Sequence, residues 1–109
     1  MEKVSEKMSL VNQEVKASFA KALGHPTRIE ILVFLASQDS CFFGDIHDEL
    51  TIAKSTVSQH LKELRDAGLI KGEIETPKVR YCIHSENWEI ARKLFYNLFD
   101  LFDDKEVIC

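Results

Sequence analysis

The chain lacks any long apolar stretch. No part of its 109 residues runs uninterruptedly apolar for the roughly 18 positions that a membrane-spanning helix requires. Its N-terminus alternates glutamate and lysine, unlike the apolar core of a secretory signal. With 45% hydrophobic residues and no internal repeat, the sequence predicts a single domain over residues 1–109. We expect it to be soluble and cytoplasmic, with no membrane partner.

Cysteine is scarce, and its three positions are far apart. Cys41, Cys82 and Cys109 form no Cys-x-x-Cys pair, which argues against a disulfide scaffold and against a zinc ribbon. We therefore expect free thiols in a reducing compartment.

Catalytic motifs are also missing. The sequence contains no nucleophile elbow, no glycine-rich phosphate loop and no metal-hydrolase motif that would bring its Ser, His and Asp residues together. We therefore predict that the protein is not an enzyme, and we expect no cofactor.

A net positive charge, common in proteins that bind nucleic acids, is absent, because the formal charge is −4. The charges are unevenly distributed. Residues 54–80 carry six positive and four negative side chains, whereas the rest of the chain carries eight and fourteen. The basic excess is thus confined to one segment, as expected where attraction to phosphate is local. Because this excess is small, we expect DNA binding to need a dimer.

That segment contains the most informative stretch, residues 53–69. Val57, Leu61 and Leu64 recur at helical spacing and predict a helix with one buried face. The opposite face carries short or hydrogen-bonding side chains, namely Lys54, Ser55, Ser58, Gln59 and Lys62. Glutamine can pair with adenine, and lysine can reach guanine or phosphate. This face suits the major groove of DNA; the alternative is an ordinary solvated helix face.

The residues before this helix predict a helix-turn-helix. Phe43 to Leu50 is expected to form a short helix with Phe43, Ile46 and Leu50 inward, and residues 51–53 make a tight connection. Two helices joined so closely form a helix-turn-helix over residues 43–67, whose second member enters the major groove.

The residues after the helix predict a β-hairpin. Gly68 stops the helix, and two runs of alternating apolar and polar residues then flank a turn at residues 76–78. A hairpin over residues 69–84 directly after a recognition helix is a wing.

Both ends of the chain are predicted to be helical. An apolar stripe marks a helix over residues 8–23, after a disordered segment at 1–7, and Ser85 can cap a last helix over 86–102. Pro26 opens a second helix. Its predicted inward residues are Ile29, Leu32, Val33 and Ala36.

The last helix has more apolar surface than a monomer of this size needs. Trp88, Phe95, Leu98 and Phe102 lie along one stripe. Pairing with a second copy would cover this stripe and set two recognition helices about 34 Å apart, one turn of DNA. The alternative is that the helix packs across its own core.

Two motifs closely resemble the ArsR/SmtB family of bacterial winged-helix repressors. They are LGHPTRIEIL at residues 23–32 and STVSQHLKELRDAGLI at residues 55–70, followed by the strand that carries Arg80-Tyr81. The resemblance implies a mainly α fold of five helices with a small β-wing. It also implies a homodimer, formed through the first and last helices, that represses transcription from a palindromic operator.

The resemblance further implies which residues contact double-stranded DNA. By motif position they are Lys54, Ser55, Thr56, Ser58, Gln59, His60 and Lys62 in the recognition helix, and Lys78 and Arg80 in the wing. Ala53 departs from the family, which commonly has a helix-capping serine there. The capping contribution of about 1 kcal/mol should therefore be absent.

The inducer sites familiar in this family are incomplete. The Cys-x-Cys pair expected before Asp45 is missing, and the last helix has no histidine, so we predict no metal site of either kind. Cys41 and Cys82 remain, and they would meet if residues 40–42 form a strand beside the wing. Paired thiolates suit arsenite, a soft metal or a redox switch. The alternative is two buried cysteines that act as small hydrophobic residues.

A different class of function also fits the pattern. A winged helix can bind another protein without touching DNA, and the acidic total charge favours such an interaction module.

Overall fold

The computed structural model describes the backbone of residues 2–39, 41–75 and 78–102, and the side chains of residues 12–39, 41–73 and 79–102. The elements along the described chain are α1 (Glu2–Leu23), α2 (Pro26–Ala36), β1 (Phe42–Phe43), α3 (Ile46–Leu50), α4 (Lys54–Asp66), β2 (Ile70–Glu75), β3 (Lys78–Ile83) and α5 (Ser85–Phe99). The strands form an antiparallel sheet in the order β1-β3-β2. The predicted winged helix-turn-helix is confirmed.

The helices and the wing pack around a common apolar core. Its buried members are Phe19, Ala22, Ile31, Leu32, Leu35, Ile46, Val57, Leu61, Leu64, Leu69, Ile70 and Ala91. Val57, Leu61 and Leu64 all face this core, as their spacing predicts. The core therefore fixes the buried side of α4 and leaves its other side to solvent.

α2 turns a different face to the core from the one predicted. Of its four predicted inward residues, Leu32 is buried, whereas Ile29, Val33 and Ala36 are exposed. Ile31 and Leu35 are buried instead. The sequence of α2 is apolar on nearly all sides, so its periodicity cannot select one face. The choice is made by packing against α4 and β3.

α3 is shorter than predicted because the chain changes direction at Gly44. This residue has φ +123°, in a region that L side chains rarely adopt. Phe42 and Phe43 consequently extend as β1 beside β3, instead of opening the helix. Phe43 is exposed rather than inward, whereas Ile46 is buried as expected.

The wing joins both the recognition helix and the last helix. β2 and β3 pair from Ile70 opposite Ile83 to Glu75 opposite Lys78. The predicted turn falls partly on residues 76–77, which lie outside the described residues.

The turn after α4 is tied to α5. Gly68 has φ +85°, and its carbonyl accepts a hydrogen bond from the amide of Asn87 at 2.9 Å. α5 is capped by His84, whose Nδ1 accepts from the Asn87 backbone N–H at 3.2 Å. The prediction that Ser85 caps α5 is therefore wrong, since Ser85 is already the first helical residue.

The helical ends differ from the predicted bounds. α1 begins at Glu2, so residues 2–7 are helical rather than disordered. α5 ends at Phe99, three residues earlier than predicted. Residues 103–109, including Cys109, lie outside the described residues. Across the described part of the chain, none of the helices has the length and apolar character needed to cross a membrane.

Candidate nucleic-acid interface

α4 exposes the polar face that its sequence predicts. The exposed residues among those predicted on this helix are Lys54, Ser55, Thr56, Ser58, Gln59 and Lys62. They lie opposite Val57, Leu61 and Leu64, which are buried in the core. Because the buried side is closely packed, the polar face is held in a fixed orientation.

The first turn of α4 lacks a side-chain cap. Ala53 occupies the cap position and has no hydroxyl or carboxylate to accept a helix N–H. Its carbonyl accepts from the Val57 N–H at 3.0 Å, which begins the helical hydrogen bonds. The predicted absence of a cap is confirmed.

Lys62 is paired with an acid on its own helix. Its Nζ donates to Oδ2 of Asp66 at 2.7 Å. This hydrogen bond raises the pKa of Lys62 and lowers the pKa of Asp66. Both side chains are exposed, so solvent screens the pair and a phosphate oxygen can compete with Asp66 for the ammonium group.

His60 is placed differently from the other predicted DNA contacts. Its side chain is only 9% exposed, and its Nδ1 lies 3.0 Å from Nη1 of Arg28 on α2. Burial and the nearby positive charges lower the pKa of His60. The expectation that His60 faces DNA therefore needs correction, because its ring faces the protein interior. Position 60 continues the inward arc of Val57, Leu61 and Leu64, a signal that sequence reasoning overlooked.

Sequence reasoning also missed Arg28, the partner of His60. Besides His60, its guanidinium donates to the carbonyls of Ala22, through Nε, and of Lys21, through Nη2. Those two carbonyls belong to the last turn of α1. One side chain on α2 thus joins the end of α1 to the recognition helix.

In the wing, Arg80 is engaged by neighbours within the sheet. Its Nη2 forms an ion pair with Oε1 of Glu73, the residue opposite it on β2. The guanidinium also lies over the ring of Phe43, 5.8 Å from the ring centre. This ion pair lowers the pKa of Glu73. The side chain of Lys78, the other predicted wing contact, lies outside the described residues.

Cys41 and Cys82 form a disulfide, with their Cα atoms 4.5 Å apart. The register accounts for this, since Phe42 lies opposite Tyr81 and the preceding Cys41 therefore lies opposite Cys82. The predicted meeting of the two cysteines is confirmed. The expectation of free thiols is wrong for this pair.

A cavity of about 360 Å³ adjoins the disulfide between α2 and α5. Its lining residues are Leu35, Ala36, Gln38, Cys41, Cys82, Ile83 and Trp88. The disulfide therefore lies where β1, β3, α2 and the first turn of α5 approach one another.

A second group of polar side chains lies at the start of α3. Asp45, His47 and Asp48 have ligand atoms within 4.8 Å of one another, and His47 lies 3.2 Å from Asp48. Both carboxylates are exposed, and such acidic groups are common on solvated surfaces.

This fold, with a packed helix that presents a polar face and a wing that carries Arg80, is that of the winged helix-turn-helix regulators that bind DNA. Residues 25–71 match the family model described as bacterial regulatory protein, arsR family. The HTH-type transcriptional regulator YgaV of Escherichia coli K12 is 33% identical over 73 residues, which are 67% of this chain and 74% of YgaV. The chain belongs to the ArsR family.

Solved structures of other regulators agree with this assignment. Reduced HlyU from Vibrio cholerae N16961 superposes with a TM-score of 0.65 and 26% identity, over 85% of this chain and 97% of HlyU. The cadmium metal-sensor CmtR from Mycobacterium tuberculosis superposes with a TM-score of 0.53 and 33% identity, over 85% of this chain and 94% of CmtR.

Proposed function

We propose that the chain acts in the cytoplasm as a homodimeric repressor, which binds a palindromic operator through α4 and the wing until an inducer releases it. The observation that carries this proposal is the polar face of α4, exposed on a helix whose other side is buried in the core. Gln59 and Lys54 are suited to base edges, whereas Arg80 and Lys62 are suited to phosphates.

Dimerisation is supported by an uncovered apolar surface on α5. The exposed apolar residues on and just after this helix are Ile90, Tyr96, Leu98, Phe99, Leu101 and Phe102. α5 and α1 also line an apolar cleft of about 270 Å³, which includes Leu23 of α1 and Phe95 of α5. Large apolar side chains exposed together at one end of a small protein favour a protein interface, and a second copy would cover them symmetrically.

The inducer site is assigned to Cys41 and Cys82. Disulfides in the cytoplasm are mostly transient and have redox roles, so a pair at this position favours a sensor over a structural bridge. Oxidation by hydrogen peroxide would join the two sulfurs: both thiol protons and two electrons pass to the peroxide, its O–O bond breaks, and two water molecules are released. In the reduced state, arsenite would bind both sulfurs by exchange of two of its hydroxide groups, which leave as water with the thiol protons, whereas a soft metal ion would bind the two thiolates and release their protons to solvent.

The test begins with the selection of bound DNA from random sequence at low salt. Binding of the selected DNA is then measured for reduced protein with and without arsenite, a cadmium salt or hydrogen peroxide. Cys41→Ser and Cys82→Ser should keep DNA bound under the condition that releases the wild type, and Cys109→Ser should behave as the wild type. Equal release in all three variants would contradict the inducer assignment.

The alternative is a protein-interaction module, which the overall charge of −4 favours. Selection at low salt separates the two functions, because a protein-interaction module would enrich no DNA sequence. Enrichment of a palindrome would exclude that alternative.

A further inference from the structure

The contact between Arg28 and His60 defines which nitrogen of His60 carries a proton. Arginine is always protonated and can only donate hydrogen bonds. With Nη1 of Arg28 at 3.0 Å, Nδ1 of His60 must accept and therefore carries no hydrogen. The proton of the neutral ring is then on Nε2. The contact thus requires an uncharged imidazole.

The surroundings of His60 also favour the uncharged ring. From the α1–α2 turn, the ring of His25 lies 4.2 Å away between ring centres, and α2 contributes the cationic Arg28. On α4 itself, the charge of Glu63 partly opposes these effects. At the neighbouring contact of α1 with α4, Lys21 and Asp66 line the same cleft as Glu63.

This contact joins three elements at one point. Arg28 lies on α2, holds the last carbonyls of α1 and reaches His60 in the middle of α4. Val57, Leu61 and Leu64 hold the buried side of α4 in the core, and no side chain caps its first turn. The Arg28–His60 contact adds a polar tie that holds the middle of α4 against α2 and the end of α1, so its loss would shift the exposed α4 face.

We propose that His60 is a positioning residue for DNA binding, which holds α4 in its DNA-reading position only while its imidazole is neutral and accepts from Arg28. A proton on Nδ1 would place an N–H donor against another N–H donor, and a positive ring against a guanidinium. That repulsion would break the contact and displace α4. Acidification therefore weakens operator binding through His60.

The direction of the pH effect follows from the lowered pKa. Free histidine has a pKa of about 6.5, and the folded protein holds His60 below this value. The unfolded or displaced state therefore binds the proton more readily than the docked state. The stabilising contact is complete above the ordinary pKa, and it is lost as the pH falls through the lowered pKa of His60. A histidine that touched DNA phosphates would show the opposite trend, because its protonation would strengthen binding.

Two substitutions of similar size separate acceptor position from side-chain bulk. In His60→Asn the amide oxygen takes the place of Nδ1 and accepts from Arg28 without titrating. In His60→Gln the amide reaches the place of Nε2, and the acceptor for Arg28 is lost. His47→Asn is the control, because His47 lies on α3 and its ring pairs with Asp48.

The experiment measures operator affinity of the four proteins between about pH 7.5 and about pH 5.5 at constant salt, the range in which histidine titrates. We expect the wild type and His47→Asn to lose up to about tenfold more affinity on acidification than His60→Asn, because a displaced histidine with an ordinary pKa of about 6.5 is protonated about ten to one at about pH 5.5. His60→Gln should bind more weakly than His60→Asn at every pH. An acid dependence in His60→Asn equal to that of the wild type would overturn the inference, as would wild-type affinity that rises on acidification.

A second measurement needs no variant. Nitrogen-15 NMR of the wild type should show His60 as the neutral ring with its proton on Nε2, and still neutral at a pH where exposed histidine is charged. A proton on Nδ1 at neutral pH would overturn the inference even if a variant failed to fold. The inference rests on the proposed DNA binding by α4. If the wild type bound no DNA, the proposed function and this inference would both be overturned. If His60→Asn lost as much affinity on acidification as the wild type, this inference alone would be overturned.

Discussion

Replacement of Phe99 by glutamate should break the proposed dimer. Phe99 lies in the last turn of α5, and 73% of its surface is exposed in the single chain. Full burial of a phenylalanine side chain contributes about 1.5–3 kcal/mol, so covering the exposed part contributes about 1–2 kcal/mol. A symmetric dimer contains the residue twice, which gives about 2–4 kcal/mol per dimer.

The dimer dissociation constant of Phe99→Glu should therefore rise at least about 30-fold, since each 1.4 kcal/mol is a factor of ten. The carboxylates brought into the interface would increase the effect further. Phe99 is a better choice than Phe95, because Phe95 also packs against the core and its replacement would destabilise the monomer.

Sedimentation equilibrium over a range of protein concentrations measures this constant. Val33→Glu is the matched control, because Val33 is also an exposed apolar residue, at 63%, and lies on α2 outside the proposed interface. A dimer that is equally stable in both variants and in the wild type would refute the assignment of α5 to the interface. A wild-type protein that remains monomeric at micromolar concentration would refute dimerisation itself.

Three substitutions test the packing that holds α4. Ala53→Ser should add the missing cap and raise the free energy of unfolding by about 1 kcal/mol in urea denaturation, because the serine hydroxyl can accept from a first-turn N–H; no change would mean that the backbone at residue 53 cannot present the hydroxyl. Leu64→Ala should lower the free energy of unfolding by about 2–5 kcal/mol, because Leu64 is fully buried, and a loss below about 1 kcal/mol would contradict the tight core described here. Gly68→Ala should lower the free energy of unfolding by about 1–2 kcal/mol because of the left-handed backbone alone. The loss should be larger because the new Cβ would lie 2.7 Å from the Asn87 amide nitrogen; a thermal midpoint equal to that of the wild type would contradict the described geometry of this turn.

The elements of this fold that are predictable from sequence are those with a clear polar and apolar division. α4 alternates buried and exposed residues so regularly that its inward residues Val57, Leu61 and Leu64 can be assigned without a structure. α2 is apolar on nearly every side, so the choice of Ile31 and Leu35 as its buried face depends on packing against α4 and β3.

The candidate site was predictable where exposure follows helical spacing and unpredictable where it depends on contacts distant in sequence. His60 matches a DNA-binding motif by position, yet its partner Arg28 lies 32 residues away. Arg80 was predictable as a wing residue, whereas its ion pair with Glu73 and its contact with Phe43 depend on strand register and on the short strand β1. The expected strand order predicts that Cys41 and Cys82 lie close together. Their bonding as a disulfide could be seen only from the register of β1 with β3, which sets the two residues opposite each other.

The central claim, that α4 reads DNA sequence through its exposed polar face, is tested most directly by the binding of Gln59→Ala to the selected operator and to random DNA. Arg80→Ala serves as a comparison within the same interface. We expect Gln59→Ala to lose about 1–3 kcal/mol of affinity for the operator and almost none for random DNA, because a base-edge contact carries specificity. Arg80→Ala should weaken binding to the operator and to random DNA, because a phosphate contact carries no sequence specificity. It should also lower the slope of affinity against salt concentration by about one. An equal loss of affinity for operator and random DNA in Gln59→Ala would contradict the claim.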